Sequence, residues 1–300
     1  MRDVSAKRNT LRTAKAVATL NVSPATVTAI QTGNVPKADP LVVARVAAIS
    51  AAKNTSLLIP YCHQVPLDHV EVDIAFQPTS IVVTASVKAI WKTGVEMEAL
   101  VAASTAALTL YDMLKIIDDD MEMVEVKLIE KKGGKSSLPV PPAGITAAVL
   151  VISDSVSKKT AEDKSGKRLM KRLEELGITA SYAVLPDEKN LIEAELKSLV
   201  DTKGIALILT TGGTGVSPRD VTPEATIDVI DRRMEGVEEI LRHYGQQRVP
   251  TSMLSRAVVG IRKNSIIVNF PGSLGAVEDG MNAIFPAILH AFRMMKGEKH

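Results

Sequence analysis

Leu209-Thr-Thr-Gly-Gly-Thr-Gly-Val-Ser-Pro-Arg-Asp-Val-Thr-Pro-Glu-Ala-Thr226 is the stretch around which the second half of the chain is organised. The apolar run 205–209 reads as a buried strand and leads into Gly212, Gly213 and Gly215. These residues lack the Cβ atoms that would keep a phosphate away from backbone amides. Thr222-Pro223 reads as an N-cap followed by a first helical residue, so further free N–H donors are expected to point at the same space. Arg219 and Asp220 stand between, offering a cation for a phosphate oxygen and a carboxylate for a metal or a polar ligand group. A ligand-free strand-to-helix turn would explain three glycines by themselves; Arg-Asp and Thr-Pro at this spacing favour the phosphate cradle.

Working outward, strand and helix patterns alternate: strand 147–152, helix 165–176 closed by Gly177, strand 180–185, helix 190–200, strand 205–209. A further strand, 266–268, is followed by Asn269-Phe-Pro271-Gly272-Ser273-Leu-Gly-Ala276 and a last helix. This order predicts a three-layer α/β domain with a mostly parallel, Rossmann-like sheet and a ligand crevice at the carboxyl ends of its strands. Ser153-Asp154-Ser155 and Pro186-Asp187-Glu188 fall at such ends and should converge on the cradle. The chain has no GxxxxGK[ST], and its glycines follow the third strand rather than the first, so neither a P-loop nor a dinucleotide fingerprint is met.

The first half has a different texture. Ala14, Ala16, Ala18 and Leu20 alternate as in a strand, Ser23-Pro24 opens a short helix ended by Gly33, and Asp39-Pro40 caps a helix over 41–53. Val70/Val72/Ile74/Phe76 and Ile81/Val83/Ala85/Val87 read as a hairpin turning at 77–80. A long alanine-rich helix over 95–117 and a strand around Val124, Val126 and Leu128 complete an α+β, ferredoxin-like antiparallel sheet with helices on one face. In 133–143 Gly, Ser and Pro crowd together and hydrophobic periodicity stops, which predicts a linker and domains of 1–138 and 139–300.

Apolar residues make up 46% of the 300, enough for two cores at roughly 100–200 residues per domain. A net charge of +2 and 3% aromatics supply neither a basic footprint nor a stacking platform, so no nucleic-acid or membrane partner is expected. The single cysteine, Cys62, excludes an intrachain disulfide and fits a reducing compartment. Residues 1–5 show no apolar signal region and no apolar run approaches the roughly 20 residues that span a bilayer, so a cytoplasmic setting is expected.

Val151-Ile-Ser153-Asp154, Asp163-Lys-Ser-Gly166, Leu185-Pro-Asp187-Glu188, Thr210-Thr211-Gly-Gly-Thr214-Gly215, Arg219-Asp-Val-Thr-Pro-Glu224 and Pro271-Gly-Ser273 resemble the molybdopterin adenylyltransferase family of molybdenum-cofactor biosynthesis. The likeness covers 145–300 with few gaps. Asp3-Val-Ser5-Ala-Lys7, Lys37-Ala-Asp39, Leu58-Ile-Pro-Tyr-Cys62-His63, Lys92-Thr-Gly-Val-Glu96-Met97-Glu98, Tyr111-Asp112-Met-Leu-Lys115 and Lys131-Lys-Gly-Gly-Lys135-Ser136 are similar to cyclic pyranopterin monophosphate synthase. The chain thus resembles a fusion of two enzymes of one pathway.

For the first half the resemblance implies conversion of a 3',8-cyclised dihydroguanosine triphosphate to cyclic pyranopterin monophosphate and pyrophosphate, with no tightly bound cofactor. It implies Lys37, Asp112 and Lys115 as the acid-base centre, and Lys53, Cys62, His63, Glu96, Met97, Glu98 and Lys131 around the substrate. On residue types alone, several lysines suit a triphosphate, and Asp112 and Lys115 share a helix face at i,i+3, where a plain surface ion pair is the alternative. A lone His63 reads equally as a packed loop residue, and with one cysteine a zinc or protease site is not supported.

For the second half the resemblance implies Mg²⁺-dependent transfer of AMP from ATP to molybdopterin, with Asp187 and Asp220 catalytic and Asp220 the candidate Mg²⁺ ligand. Ser153, Asp154, Thr211, Gly212, Gly213, Thr214, Gly215 and Arg219 would wall the pterin and phosphate, and Pro271, Gly272 and Ser273 the nucleotide. Leu274-Gly275 stands where many members carry Pro-Lys. The alternative is a second domain that binds molybdopterin without catalysis.

Glu98 and Asp112 are fourteen residues apart. On one helix that is about 21 Å, too far for both carboxylates to serve one small substrate from one chain. A homo-oligomer with the first site at a subunit interface is therefore expected, and contacts with other enzymes of the pathway are compatible with the fusion.

Overall fold

The computed structural model describes residues 1–134 and 144–297, which fall into two compact units, Met1–Leu138 and Pro139–His300. Most of the expected linker, with Lys135 and Ser136, lies outside the described residues.

In the first unit β1 (Thr10–Asn21), β2 (His69–Gln77), β3 (Ser80–Trp91) and β4 (Glu122–Lys132) form one sheet in the order β2-β3-β1-β4, every neighbouring pair antiparallel. Alternation does what it predicts: Ala14, Ala16, Ala18 and Leu20 of β1 are buried on one face with Ile81, Val83, Ala85 and Val87 of β3. α1 (Pro24–Gln31) starts at Ser23, whose hydroxyl accepts from the Thr26 amide, and α2 (Pro40–Lys53) starts at Asp39, which accepts from Leu41 and Val42. After the single turn α3 (Thr55–Leu58) and the hairpin comes α4 (Glu96–Leu114). Its Ala99, Ala102, Ala103, Ala106 and Ala107 meet Ala44, Ala48 and Ala52 of α2 in one core, and such small side chains let the two helices approach closely. By length and composition α4 is apolar enough to cross a membrane, so 95–117 holds a longer apolar segment than the sequence reading credits. Its small residues are spent on the core with α2 and the sheet.

The second unit contains β5 (Ala147–Ile152), α5 (Asp154–Ser157), α6 (Ser165–Glu174), β6 (Ala180–Leu185), α7 (Lys189–Lys197), β7 (Leu207–Thr211), α8 (Thr222–Ile227), β8 (Arg232–Arg233), α9 (Glu235–Gln246), β9 (Val259–Arg262), β10 (Ser265–Phe270), α10 (Leu274–Ile284) and α11 (Ala291–Met295). The sheet runs β6-β5-β7-β10-β9-β8; the first four strands are parallel and the last two pairings antiparallel. Every residue of β5, β7 and β10 is buried, as a central strand covered on both faces requires. Successive side chains of β5 feed two cores: Ala147 and Val149 join Leu169, Leu173, Val277 and Met281, while Ala148, Leu150 and Ile152 join Ile192, Leu196 and Ala225. The layering is therefore helix, sheet, helix, with a mixed sheet.

The sequence reading leaves 227–264 without elements, and α9, β8 and β9 lie there. Glu238 of α9 explains why the pattern is weak: it is buried, yet satisfied by the Arg233 and Arg242 guanidiniums and the Val259 amide. A buried ion network interrupts the apolar periodicity on which such readings depend.

Each unit owns its cores, so fragments 1–138 and 139–300 are expected to fold alone. Calorimetry should give each fragment a cooperative transition matching one in the intact chain; insoluble or unfolded fragments would contradict this.

Candidate functional site

The glycine loop leaves β7 at Thr211 and returns to α8 at Thr222. Gly212 and Gly213 have φ of 104° and 62°, a region other residues rarely enter, and both are crowded. A Cβ on Gly212 would lie 2.1 Å from the Ile152 carbonyl oxygen; one on Gly213 would lie 2.4 Å from Thr222 Oγ1 and 2.9 Å from Asp187 Oδ1. The expected cap differs: α8 is preceded by Val221 at the cap position, and Thr222 instead donates its hydroxyl to the Gly212 carbonyl at 3.0 Å and its amide to that of Gly213 at 3.1 Å. With Thr222 occupied in this way, and α8 only six residues long, the donors of the cradle are the loop's own amides. Among the described residues the amides of Gly213, Thr214, Gly215 and Val216 have no protein acceptor.

Arg256, which no motif singles out, closes the other end of the loop. Its amide donates to the Thr214 carbonyl at 2.9 Å, and its guanidinium donates to the carbonyls of Gly215 at 2.6 Å and Asp220 at 2.5 Å and to Glu224. Gly272 packs against the loop, a Cβ there lying 3.3 Å from Gly212 Cα, and Thr211 Oγ1 donates to the Pro271 carbonyl at 3.0 Å. Ser273 accepts from Ala276 as the cap of α10.

Carboxylates flank the loop. Asp154 and Asp187 exchange bonds between neighbouring strand ends, the Asp154 amide donating to Asp187 Oδ2 at 2.9 Å and the Asp187 amide to Asp154 Oδ1 at 3.2 Å. Arg219 donates to Asp154 Oδ2 at 2.7 Å and to Glu188 at 3.1 Å, so in this arrangement it bridges carboxylates. That bond to Arg219 holds the Asp154 carboxyl below its ordinary range. Burial pushes Asp187 up; the bond from the Asp154 amide opposes this, and the charges of Asp154 and Asp220 add to it. Asp220 accepts from the Ser217 amide at 2.8 Å and stands beside Gly215. Ser153 caps α5. Asp163, of the Asp-x-Ser-Gly motif, is buried and accepts from the amides of Gly166 and Lys167 and from Tyr182; burial first, then Asp163, pushes the Tyr182 phenol up to about 12.

Two cavities meet at the loop. One, of about 590 Å³, is walled by Val216, Leu241, Val249, Leu254, Phe270 and Ser273; the other, of about 470 Å³, by Ser153, Asp163 and Asp187. Gly212, Gly213, Asp220 and Gly272 belong to both.

In the first unit the structure forms two groups at opposite ends of α4. At its C-terminal end Asp112 accepts from Lys115 at 2.7 Å and from Lys37 at 3.3 Å, and Lys37 also donates to the Asp112 carbonyl at 2.9 Å. The bonds from Lys115 and Lys37 lower the Asp112 carboxyl, and Asp112 in turn raises Lys115, so the lysine is the acid form of the pair. At the N-terminal end Glu96 faces Lys131 at 3.5 Å, and Glu98, 4% exposed, is pushed up chiefly by burial. Cys62 is pushed up by burial and then by the charge of Glu98. His63 is half-buried, and Lys53 and Met97 are exposed.

Residues 1–134 match the family described as "MoaC family", and residues 148–290 match "Probable molybdopterin binding domain". The whole chain is 40% identical over 301 residues to a "Molybdenum cofactor biosynthesis bifunctional protein" of Chlorobaculum tepidum, covering 100% of this chain and 96% of that protein. The chain belongs to the family of bifunctional molybdenum cofactor biosynthesis proteins. A second member, from Synechococcus elongatus, is 38% identical over 317 residues, covering 100% of this chain and 98% of that one. The first half of this bifunctional chain is also 50% identical over 145 residues to a "Cyclic pyranopterin monophosphate synthase" of Nostoc sp., covering 48% of this chain and 86% of that protein.

The raised Asp187 carries a stability signature. Because folding raises its pKa, its ionisation costs stability above the folded pKa, and the cost fades as pH falls towards the unfolded value of about 4. Asp187→Asn keeps an acceptor for the Asp154 amide and is expected to melt above wild type at neutral pH, with the difference closing on acidification. An equal or lower melting temperature at neutral pH would contradict it.

Proposed function

We propose that the chain catalyses two steps of molybdenum-cofactor biosynthesis: formation of cyclic pyranopterin monophosphate in the first domain, 1–138, and adenylyl transfer to molybdopterin in the second, 139–300. The observation that carries the second reading is the pair of cavities that meet at Gly212, Gly213, Asp220 and Gly272, at the start of the row of unpartnered amides from Gly213 to Val216. A reaction between two phosphate-bearing molecules needs two concavities that meet at the reacting phosphates. The apolar walls of the larger cavity, with Pro271 and Ser273 at its edge, suit the nucleotide, and the polar cavity under Ser153 and Asp187 suits the pterin phosphate.

In the transfer, a terminal phosphate oxygen of molybdopterin attacks the α-phosphorus of ATP; a P–O bond forms, the α-β bridging bond breaks, and pyrophosphate leaves with the electron pair. The attacking oxygen is an anion at neutral pH, so no strong base is required. The chain's task is to align the phosphates and spread charge over the amides of Gly213 to Val216. Asp187 and Asp220 flank the loop as carboxylates, the donor type and number with which Mg²⁺ is held beside substrate phosphates. Mg²⁺ bound there supplies neutralisation of the polyphosphate charge.

For the first domain, the element order of β1, helices, β2, β3, α4, β4 with the sheet order above supports the ferredoxin-like reading. Lys115, held protonated by Asp112, suits a general acid, with Lys37 beside the same carboxylate. The group around Glu98 stands at the far end of a 19-residue helix. Exposed Val42 and Val46 on α2 and Val124 and Ile129 on β4 supply apolar surface for a second copy, which would bring the two groups into one site. The reduced state suited to Cys62 accords with a cytoplasmic setting.

Two experiments test this. Incubated with molybdopterin, ATP and Mg²⁺, the protein should yield pyrophosphate and adenylylated molybdopterin by mass analysis, and Asp220→Asn should lower the rate at least about 100-fold. Binding of molybdopterin with no such product at any Mg²⁺ level would leave only a binding domain. Mixing inactive Glu98→Ala with inactive Asp112→Ala should restore up to about a quarter of wild-type synthase activity when subunits of a dimeric site exchange at random. No recovery after verified exchange would place the site within one chain.

A further inference from the structure

We propose that Arg256 is a positioning residue for adenylyl transfer, setting the half of the phosphate cradle formed by the amides of Gly215 and Val216. This rests on the transfer reading above. In a trans peptide the carbonyl and the next residue's N–H point in opposite directions, so anchoring a carbonyl in the protein turns the following amide outward. Four successive peptide planes of the loop are anchored in this way. Thr222 holds the carbonyls of Gly212 and Gly213 and so presents the amides of Gly213 and Thr214. Arg256 holds the carbonyls of Thr214 and Gly215, the first by its amide and the second by Nε, and so presents the amides of Gly215 and Val216.

Its Nη2 bond to the Asp220 carbonyl ties the carboxylate-bearing residue to the same clamp, and the ion pair of Nη1 with Glu224 fixes the guanidinium in turn. Arg256 lines neither cavity, so it works from behind the loop. Three guanidinium nitrogens take three acceptors in fixed directions, and a lysine ammonium on a flexible stem does not reproduce that fork. With two loop glycines at positive φ, little else in the local backbone resists rotation of these planes.

The test uses the full chain labelled with [¹⁵N]glycine and [¹⁵N]valine, titrated with pyrophosphate, in wild type, Arg256→Gln and Arg256→Lys. In wild type the Gly213, Gly215 and Val216 amides should all shift. In both variants Gly213, held by Thr222, and Gly215, held by the main-chain amide that every residue at 256 keeps, should still respond, while the Val216 response, set by the guanidinium, needs at least about 10-fold more pyrophosphate. In steady-state transfer, kcat should fall about 100-fold, the scale for losing electrostatic donors, and millimolar methylguanidinium should restore part of it in Arg256→Gln only. A Val216 response and rate like wild type would overturn the proposal. So would loss of all three responses in step with a lowered melting temperature, which marks a merely structural role. If wild type forms no adenylylated product, the transfer reading fails, and the Val216 titration still decides whether Arg256 sets the cradle.

Discussion

Five carbonyls of the segment 212–220 are turned into the protein, on to Thr222 and Arg256, and the second domain is arranged around that constraint. A strand that ends in small residues can bring backbone to a ligand, but free glycines gain as much by facing their carbonyls outward, which would repel a phosphate. Fixing the carbonyls selects the opposite face. The order of strands follows from the same need: β7 sits between β5 and β10 in the parallel part of the sheet, so the turns after all three open at one edge, beside one another.

Negative charge is set around the cradle in graded environments. Asp154 is neutralised by Arg219, whereas Asp187 is half-buried, feels the charges of two other carboxylates and has no ion-pair partner of its own among the described residues. An arrangement that costs stability in the empty protein makes physical sense where a cation and a polyphosphate later share the space. The first domain solves its charge problem differently. Lysines and carboxylates there pair at the surface, at both ends of a helix whose alanines are committed to the core, and the length of that helix keeps the two groups apart.

Much of this was legible in the residues. Alternation marked β1 and the β2–β3 hairpin because one face of that sheet is covered, and all-apolar runs marked β5 and β10 because both faces are. Asp112, Lys115 and Lys37 do come together, and so do Asp187, Asp154 and the glycine loop. What was hidden depended on distant partners. Thr222-Pro223 has the grammar of a cap, but its hydroxyl is drawn to a carbonyl ten residues earlier. Arg256 stands in an ordinary Leu-Ser-Arg-Ala context, and only the fold shows that its guanidinium reaches the loop. Glu238 sits where an amphipathic pattern would place an apolar residue, since two arginines and an amide satisfy it from outside its own helix.

The central claim is that backbone amides turned outward by anchored carbonyls receive the phosphates. A crystal structure of the full chain with Mg²⁺ and the α,β-methylene analogue of ATP tests it most directly. The account predicts phosphate oxygens about 3 Å from the amides of Gly213 to Val216, with the carbonyls still on Thr222 and Arg256. Phosphates bound elsewhere, or a loop whose carbonyls have rotated to face the ligand, would contradict it.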